Sequence, residues 1–273
     1  MREKIKNMIK EVLEKTGLIC NQVSENIIKV TTEGFSMGIE MEKESLHLGV
    51  FSTEEVKTKY EMQMLKFLNL INLGTKEGQW VLDEDRTVCY FITVDFQEEE
   101  ISKEYIENII MTTLLEQKIF ETGIKAVSMG ISSAEEAYKE ALHNLQQRKG
   151  VISFTSPQLG VTFEMEEGGL DYRLQVEKEV PANCLEDMLW YLNQANLITR
   201  KGHWELAGNH VFFRIHTECV VNKEVSEKKS YEALQRGEAA IEKFYEGIMM
   251  ICAEGFSGPE AFEEFVVKQS TEV

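Results

Sequence analysis

The chain contains the segment Leu68-Asn69-Leu70-Ile71-Asn72 and, a few residues later, the segment Gly78-Gln79-Trp80-Val81-Leu82. Both segments return in altered form as Leu192-Asn193-Gln194-Ala195-Asn196 and Gly202-His203-Trp204-Glu205-Leu206. The matched asparagines, glycines and tryptophans all lie 124 residues apart. Solenoid repeats have periods of roughly 20–50 residues. A spacing this long therefore predicts a duplicated domain.

The match continues on both sides of this pair of segments. Val88-Cys89-Tyr90-Phe91-Ile92 aligns with Val211-Phe212-Phe213-Arg214-Ile215 once one turn residue is dropped, and Gly130-Ile131-Ser132 aligns with Gly255-Phe256-Ser257. The length of 273 residues suits two domains of about 100–150 residues. We predict a first repeat over residues 1–130 and a second over residues 131–273, packed on one another without a flexible linker.

Hydrophobic spacing predicts the same order of elements in both repeats, α-β-β-β-α-β-β-α. In the first repeat it predicts a helix near residues 5–13, strands near 18–23, 27–31, 35–41 and 45–51, and a helix over 55–73. A hairpin then precedes a long helix that begins after Ser102. In the second repeat it predicts strands near 151–155, 160–166 and 170–177, a helix to about 197, a hairpin over 203–219 that turns at Gly208-Asn209, and a helix over 226–253. The first two strands are also compatible with one irregular strand. The predicted fold class is α+β, with antiparallel sheets flanked by helices.

Three helix starts carry a capping signal, in which a small polar side chain and a glutamate each bind a free backbone N–H. Ser132 and Glu135 predict the start of a helix over residues 134–149 that Gly150 ends. Pro181-Ala182-Asn183 with Glu186 predicts the start of the next helix. Ser257 and Glu260 predict a short helix at the end of the chain.

Composition narrows the range of partners. The chain has 47 acidic and 29 basic residues, a net charge of -18, which repels nucleic acids and anionic membranes. It favours basic or apolar partners. The five cysteines are odd in number and lack a C-x-x-C pair, which predicts reduced thiols in the cytoplasm. No signal peptide or membrane-spanning segment is predicted.

The L-N-x-x-N helix end and the G-x-W-x-L hairpin resemble those of the YbjN family, which shares the fold of type III secretion chaperones. The resemblance covers roughly residues 1–130 and 131–270. It is carried by Leu68, Asn69, Asn72, Gly78, Trp80, Leu82, Tyr90, Leu192, Asn193, Asn196, Gly202, Trp204, Leu206, Phe213 and Arg214. It implies a binding or chaperone-like role without catalysis. Secretion chaperones pair as two subunits around an unfolded segment of an effector, so two units in one chain imply an intrachain pseudo-dimer.

The paired asparagines at the two helix ends admit two interpretations. They could form a polar ligand-binding pair, or they could cap the helix, since asparagine tolerates left-handed geometry and bonds nearby backbone groups. We favour capping. Trp80 and Trp204 could be binding platforms, but large aromatic residues at matched positions more often fill the core.

Two further features suggest metal sites, and we favour the simpler interpretation of both. His203 and His216 are diagonal neighbours on one face of the second hairpin, where two imidazoles could meet a metal. No third ligand is evident, so hydrogen-bonded or solvated histidines are expected. Asp83-Glu84-Asp85 resembles a fragment of a calcium loop but lacks the glycine and the distal glutamate of that loop, so we expect a polar hairpin turn.

Phe91 and Phe212 are predicted to point outward from their hairpins. Apolar residues there require either a covering layer within the chain or a partner, so both residues are candidates for a partner-binding surface. Aligned outward positions differ between the two repeats, with Phe91 against Arg214 and Val81 against Glu205. These differences suggest that the two surfaces are no longer equivalent.

The predicted function is a non-enzymatic protein-binding or chaperone-like module. It would take up an extended or amphipathic partner segment through a sheet edge or a helix groove. The sequence shows no G-x-S-x-G, P-loop or dinucleotide-binding glycine pattern, and it predicts no catalytic, cofactor or metal residues. The alternative is a small-molecule-binding protein or enzyme with a site between the repeats. Self-association is a third possibility.

Overall fold

The computed structural model describes residues 2–15, 18, 20–31, 35–42, 45–75, 78–95, 102–143, 152–156, 161–166, 169–218 and 223–267. The chain forms two compact units. The first unit consists of Met1–Met64 with Leu82–Leu145, and the second consists of Leu65–Val81 with Gln146–Val273. A short segment of the first predicted repeat is thus part of the second unit.

The first half of the chain alternates helices with antiparallel strands. Its elements are α1 (Arg2–Lys15), β1 (Cys20–Gln22), β2 (Ile27–Thr31), β3 (Phe35–Met41), β4 (Ser45–Glu55), α2 (Glu61–Gly74), β5 (Gln79–Leu82), β6 (Thr87–Asp95), α3 (Lys103–Ser128) and α4 (Ala134–His143). The second half contains β7 (Ile152–Ser156), β8 (Val161–Glu166), β9 (Gly169–Glu179), α5 (Leu185–Ile198), β10 (His203–Ala207), β11 (His210–Glu218), α6 (Lys223–Met249) and α7 (Gly258–Phe262). The structure confirms the α+β class.

The described strands form two antiparallel sheets with corresponding strand orders. The first sheet has the order β1-β2-β3-β4-β6-β5, and the second has the order β7-β8-β9-β11-β10. The second order repeats that of β2-β3-β4-β6-β5, strand for strand. The strand that follows α2 in the chain, β5, lies at the edge of the first sheet, and the strand that follows α5, β10, lies at the edge of the second.

The core follows from the alternation of side chains along the strands. In the first sheet one face carries Met37, Ile39, Leu48, Val50, Tyr90 and Ile92, all buried. The long helix α3 adds a buried apolar stripe, and its first turn is capped by Ser102 Oγ, which accepts the amide of Tyr105 at 3.1 Å. In the second unit Trp204 packs against Phe213 and Phe244, with ring centroids 4.9 and 5.5 Å apart.

The structure confirms the predicted start of α4 at Ala134, but two of the three predicted capping pairs were wrong. The box that opens α4 uses Ser133 and Glu136: Ser133 N donates to Glu136 Oε2 at 3.0 Å, and Glu136 N donates to Ser133 Oγ at 3.3 Å. The N-cap is the residue that directly precedes the first helical residue. In α4 this residue is Ser133, whereas the predicted Ser132 lies one residue earlier. The start of α5 has no side-chain cap from Asn183, because residues 182–184 form a short 3-10 turn before the helix. The predicted box of Ser257 and Glu260 is confirmed.

Several predicted boundaries differ from the observed ones. The strand predicted to end at residue 51 continues to Glu55 in β4. The last long helix begins at Lys223 and ends at Met249, where a wider π-helical turn takes over until Gly255. The second hairpin turns at Gly208-Asn209 as predicted, with Ala207 opposite His210. Residues 144–149 of the predicted fourth helix, and Gly150, lie outside the described residues. Among the described helices, none is long and apolar enough to cross a membrane.

Candidate functional site

The outer face of the first sheet, opposite its core face, carries the predicted surface residue Phe91. Three neighbouring strands place Gly38, Gly49 and Phe91 side by side, since Gly38 is opposite Gly49 and Gly49 is opposite Phe91. Two of these three positions have no side chain. The outer face therefore lacks side chains at the two glycine positions and has an aromatic ring beside them.

Phe91 pairs with a second aromatic residue that the sequence did not single out. Its ring and that of Phe51 are 5.6 Å apart between centroids and meet at 81°, an edge-to-face arrangement. Both rings lean over Gly49, where a Cβ atom would come within 2.9 Å of Phe91 and 3.0 Å of Phe51. Both phenylalanines are partly exposed, whereas Gly49 is buried. A side chain at position 49 would therefore require the two rings to move.

A polar cluster continues the same face along β4 and β6. His47 Nδ1 lies 2.9 Å from Thr93 Oγ1, and its Nε2 lies 3.0 Å from Ser45 Oγ and 3.4 Å from Glu42 Oε1. In hydrolase triads the hydroxyl and the carboxylate bind opposite nitrogens of the imidazole. Ser45 and Glu42 both lie at Nε2, so Glu42 does not orient the ring for proton transfer from Ser45, and the hydroxyl at the opposite nitrogen is that of Thr93. The cluster is arranged as a hydrogen-bonded surface group.

Cys89 lies beside this face but is not a reactive thiol. It is fully buried, and its Sγ lies 3.6 Å from Asp83 Oδ2. Burial, and then the negative charge of Asp83, raise the pKa of the Cys89 thiol far above its ordinary value. The thiolate is the nucleophilic form of cysteine. Asp83 also accepts the amide of Thr87 at 2.7 Å, and the predicted hairpin turn at residues 83–85 is confirmed.

Phe212, the second predicted surface residue, has a different environment. The guanidinium of Arg173 lies 4.1 Å from the centre of its ring, a cation–π contact, and the ring of His210 lies 6.4 Å away. Phe212 is partly exposed, but one face of its ring is covered by Arg173. Phe91 and Phe212 both lie on outer sheet faces, as predicted, and of the two only Phe212 has a cation of another described residue over its ring.

Charged and polar side chains are buried on the outer face of the second sheet. Glu205 is 0 % exposed and forms an ion pair with Arg173 through its Oε1. His203 Nε2 lies 3.6 Å from Glu205 Oε2 and 3.0 Å from the backbone oxygen of Asn72. A carbonyl oxygen only accepts hydrogen bonds, so His203 Nε2 carries a proton. Within the described residues, no three histidine, cysteine or acidic side chains are grouped to hold a metal ion.

The repeated asparagines hold the edges of the two sheets. Asn72 Nδ2 donates to the Trp80 oxygen at 2.9 Å, and its Oδ1 accepts the Trp80 amide at 2.8 Å. Asn196 makes the same pair of bonds with Trp204, at 3.0 and 2.6 Å. Each amide thus replaces a neighbouring strand for one residue of an edge strand. We call this two-bond arrangement an asparagine clamp.

A third clamp joins the two predicted repeats within the second unit. Asn69 Nδ2 donates to the Leu206 oxygen at 2.9 Å, and its Oδ1 accepts the Leu206 amide at 2.8 Å. Together with the clamp on Trp204, it occupies two alternate positions of the free edge of β10. An edge occupied in this way is not available for an added strand.

Gln79 and His203, which align in the two repeats, make reciprocal bonds to the ends of the helices. Gln79 Nε2 donates to the backbone oxygen of Asn196 at 2.5 Å, and His203 Nε2 donates to that of Asn72 at 3.0 Å. Arg214 Nη1 adds a bond to the Leu73 oxygen at 3.1 Å. The covering layer at this end of the second sheet therefore comes from residues 69–73 of the chain.

The sequence indicated that the asparagines are structural, but the predicted mechanism was wrong. Local capping would have placed them in left-handed geometry, and Arg86 is the only described non-glycine residue with a positive φ. Their amides reach strands that lie 8 or 137 residues away. The prediction that both tryptophans are core residues is confirmed, since each is 1 % exposed.

No family model and no curated protein matches the chain. Among solved structures, it is similar to the crystal structure of YbjN from E. coli, described as a proposed transcription regulator. The similarity covers 45% of this chain and 92% of that one, with 11% sequence identity and a TM-score of 0.37.

Proposed function

We propose that this protein is a chaperone-like module that binds a segment of another protein and catalyses no reaction. The observation that carries the proposal is the partly exposed pair Phe51 and Phe91 on the outer face of the first sheet. Aromatic residues supply much of the energy of protein recognition. Beside them, Gly38 leaves a floor without a side chain, where a partner can approach the backbone closely.

The proposal includes a pseudo-dimer within one chain, made of the repeats at residues 1–130 and 131–273. The shared strand order of the two sheets supports it. So does the reciprocity of Gln79 and His203, each of which bonds the helix end of the other repeat. Contacts in which one element binds its counterpart and is bound by it are typical of two-fold dimers. No second chain is needed to complete such a pair.

The charge of the molecule supports a protein partner. A net charge of -18 repels nucleic acids and attracts basic segments. The described cysteines Cys20, Cys89, Cys184 and Cys252 are free thiols, which fits the proposed cytoplasmic location.

The geometry favours the face around Phe91 over the face around Phe212. Arg173 already covers Phe212 and is itself paired with the buried Glu205. A partner at Phe212 would have to displace a guanidinium that is also paired with Glu205. A partner at Phe91 meets a ring whose neighbours are another phenylalanine and a glycine.

The test compares Phe91→Ala with Phe212→Ala. A fluorescently labelled protein that is kept unfolded by reduction and alkylation serves as the probe, and anisotropy measures its binding to the full chain. Burying a phenylalanine contributes about 1.5–3 kcal/mol, so Phe91→Ala should weaken binding roughly tenfold or more. Phe212→Ala should change the affinity by less than about threefold by the same conversion.

Circular dichroism melts of both variants provide the control, since a variant that has unfolded reports nothing about the surface. Equal losses of affinity in the two folded variants would contradict the assignment of the surface. An unfolded probe that does not bind the wild-type chain at all would contradict the proposed function.

A further inference from the structure

Nothing in the described part of the structure requires a glycine at position 38. It lies inside β3, opposite Lys29 on one side and Gly49 on the other, and the register is regular in both pairings. Its backbone is outside the left-handed region that favours glycine. A glycine within a strand destabilises it by roughly 0.5–1 kcal/mol relative to alanine. The fold would therefore be at least as stable with a side chain at this position.

There is also room for that side chain. A Cβ atom at Gly38 would meet one described atom within 4 Å, the Cε2 of Phe51 at 3.8 Å, which is an ordinary van der Waals distance. Gly49 differs, since a Cβ there would collide with Phe51 and Phe91. Strand glycines without a bulge often mark a place where a ligand or another backbone approaches closely.

The surroundings of Gly38 indicate the chemistry of what approaches. On one side lies the aromatic pair Phe51 and Phe91. Along the same strand and on the same face, two residues from Gly38, lies the exposed carboxylate of Glu40. Residues two apart on a strand are separated by about 6.8 Å. An extended peptide has the same spacing between alternate side chains.

We infer that an extended segment of a partner protein lies across Gly38, with an apolar side chain against Phe51 and Phe91 and a lysine or arginine two residues away at Glu40. This inference rests on the proposed function and adds the sequence pattern of the partner. Charge complementarity favours a basic side chain here, because Glu42, a second and partly exposed carboxylate, lies just after the end of β3, two residues from Glu40. Exposed Lys29 bounds the floor on the β2 side.

The second sheet lacks these features at the corresponding positions. Its register places Thr162 opposite Arg173, and Arg173 opposite Arg214. Where the first sheet has two glycines and a phenylalanine, the second thus has a threonine and two arginines. The inferred segment has one place to bind, on the first sheet.

Two fluorescent peptides and three variants of the full chain test the inference. The peptides are extended and threonine-rich, and they differ at one position, with Leu-Thr-Lys in one and Leu-Thr-Glu in the other. The wild-type chain should bind the lysine peptide at least tenfold more tightly than the glutamate peptide. Glu40→Lys should reverse that preference.

Gly38→Val fills the floor with a residue that strands favour. We expect it to melt at or above the wild-type temperature and to bind the lysine peptide at least tenfold more weakly. Gly38→Ala should show the same trend to a smaller extent. A folded Gly38→Val chain that binds as the wild type does would overturn the inference.

The outcomes separate this inference from the proposed function. If Phe91→Ala weakens binding of the unfolded probe but neither Gly38→Val nor the peptide charge matters, the protein-binding role stands and the inferred pattern is wrong. If sedimentation shows that the wild-type chain self-associates and that Gly38→Val abolishes this, a second copy of the chain occupies the face, and the assigned partner is wrong.

Discussion

Replacing Asn69 by alanine should loosen the edge of β10 at a point 137 residues away in the sequence. The side chain makes two bonds to Leu206, at 2.9 and 2.8 Å, and Leu206 is 6 % exposed. Each buried backbone group left without a partner costs about 1–3 kcal/mol. Because both the amide and the oxygen of Leu206 lose their partner, we expect the free energy of unfolding of the second unit to fall by about 2–6 kcal/mol.

Denaturant unfolding measures the total loss, and hydrogen exchange measures where it arises. In Asn69→Ala the Leu206 amide should exchange much faster, while the Trp204 amide, which the Asn196 clamp holds, should keep most of its protection. Asn69→Asp keeps the acceptor but not the donor, so it should be at least as destabilising. The exposed Asn7 provides the matched control as Asn7→Ala, with little expected change. An unchanged Leu206 exchange rate in Asn69→Ala would show that the Asn69 side chain does not hold the edge of β10.

Three further predictions concern backbone strain, pH and thiol reactivity. Gly202→Ala should lower the free energy of unfolding by more than about 2 kcal/mol, since the φ of Gly202 is +76° and a Cβ would lie 2.6 Å from a backbone oxygen. Gly208→Ala should lower it by about 1–2 kcal/mol, because Gly208 has a φ of +63° but open space around it. Equal losses in urea unfolding would contradict this. The hydroxyl and amide of Ser257 lower the pKa of Glu260. The stability that Glu260 adds should therefore be present above its unfolded pKa of about 4.3 and be lost as the pH falls through the lower folded value, so the difference between wild type and Glu260→Gln should shrink in acid. Cys89, whose pKa is raised by burial, should resist iodoacetamide at neutral pH until the protein unfolds, and rapid labelling in the folded state would argue against its burial.

The second hairpin shows how much of the fold was predictable from the sequence. A two-residue turn at Gly208-Asn209 fixes the register, and the pairing of His203 with Arg214 follows from it. The outward positions of Phe91 and Phe212 follow from alternation along each strand in the same way. These predictions succeeded because local spacing alone determines them.

The partners of the asparagines could not be predicted from local spacing. Asn72 and Asn69 lie three residues apart on one helix, yet one binds the hairpin of its own repeat and the other binds Leu206. The choice depends on how the elements pack in three dimensions. The role of Arg173 was missed for the same reason, since its contacts with Phe212 and Glu205 join strands that are distant in the sequence.

Phe51 and Gly38 were missed for a different reason. Their two strands were predicted, but an aromatic residue and a glycine in a strand each have common structural roles. Only the register, which places Gly38 beside Gly49 and Gly49 beside Phe91, shows that they share one face. A search for glycines at facing positions on two neighbouring predicted strands could have indicated the surface.

The most direct test that a partner segment binds the outer face of the first sheet is a hydrogen-exchange footprint of the full chain, with and without the bound unfolded probe. We expect slower exchange in β3, β4 and β6, centred on Gly38 and Phe91, and little change around Phe212. Protection confined to the second sheet would contradict binding at this face, and so would an unchanged footprint at a probe concentration that saturates the chain.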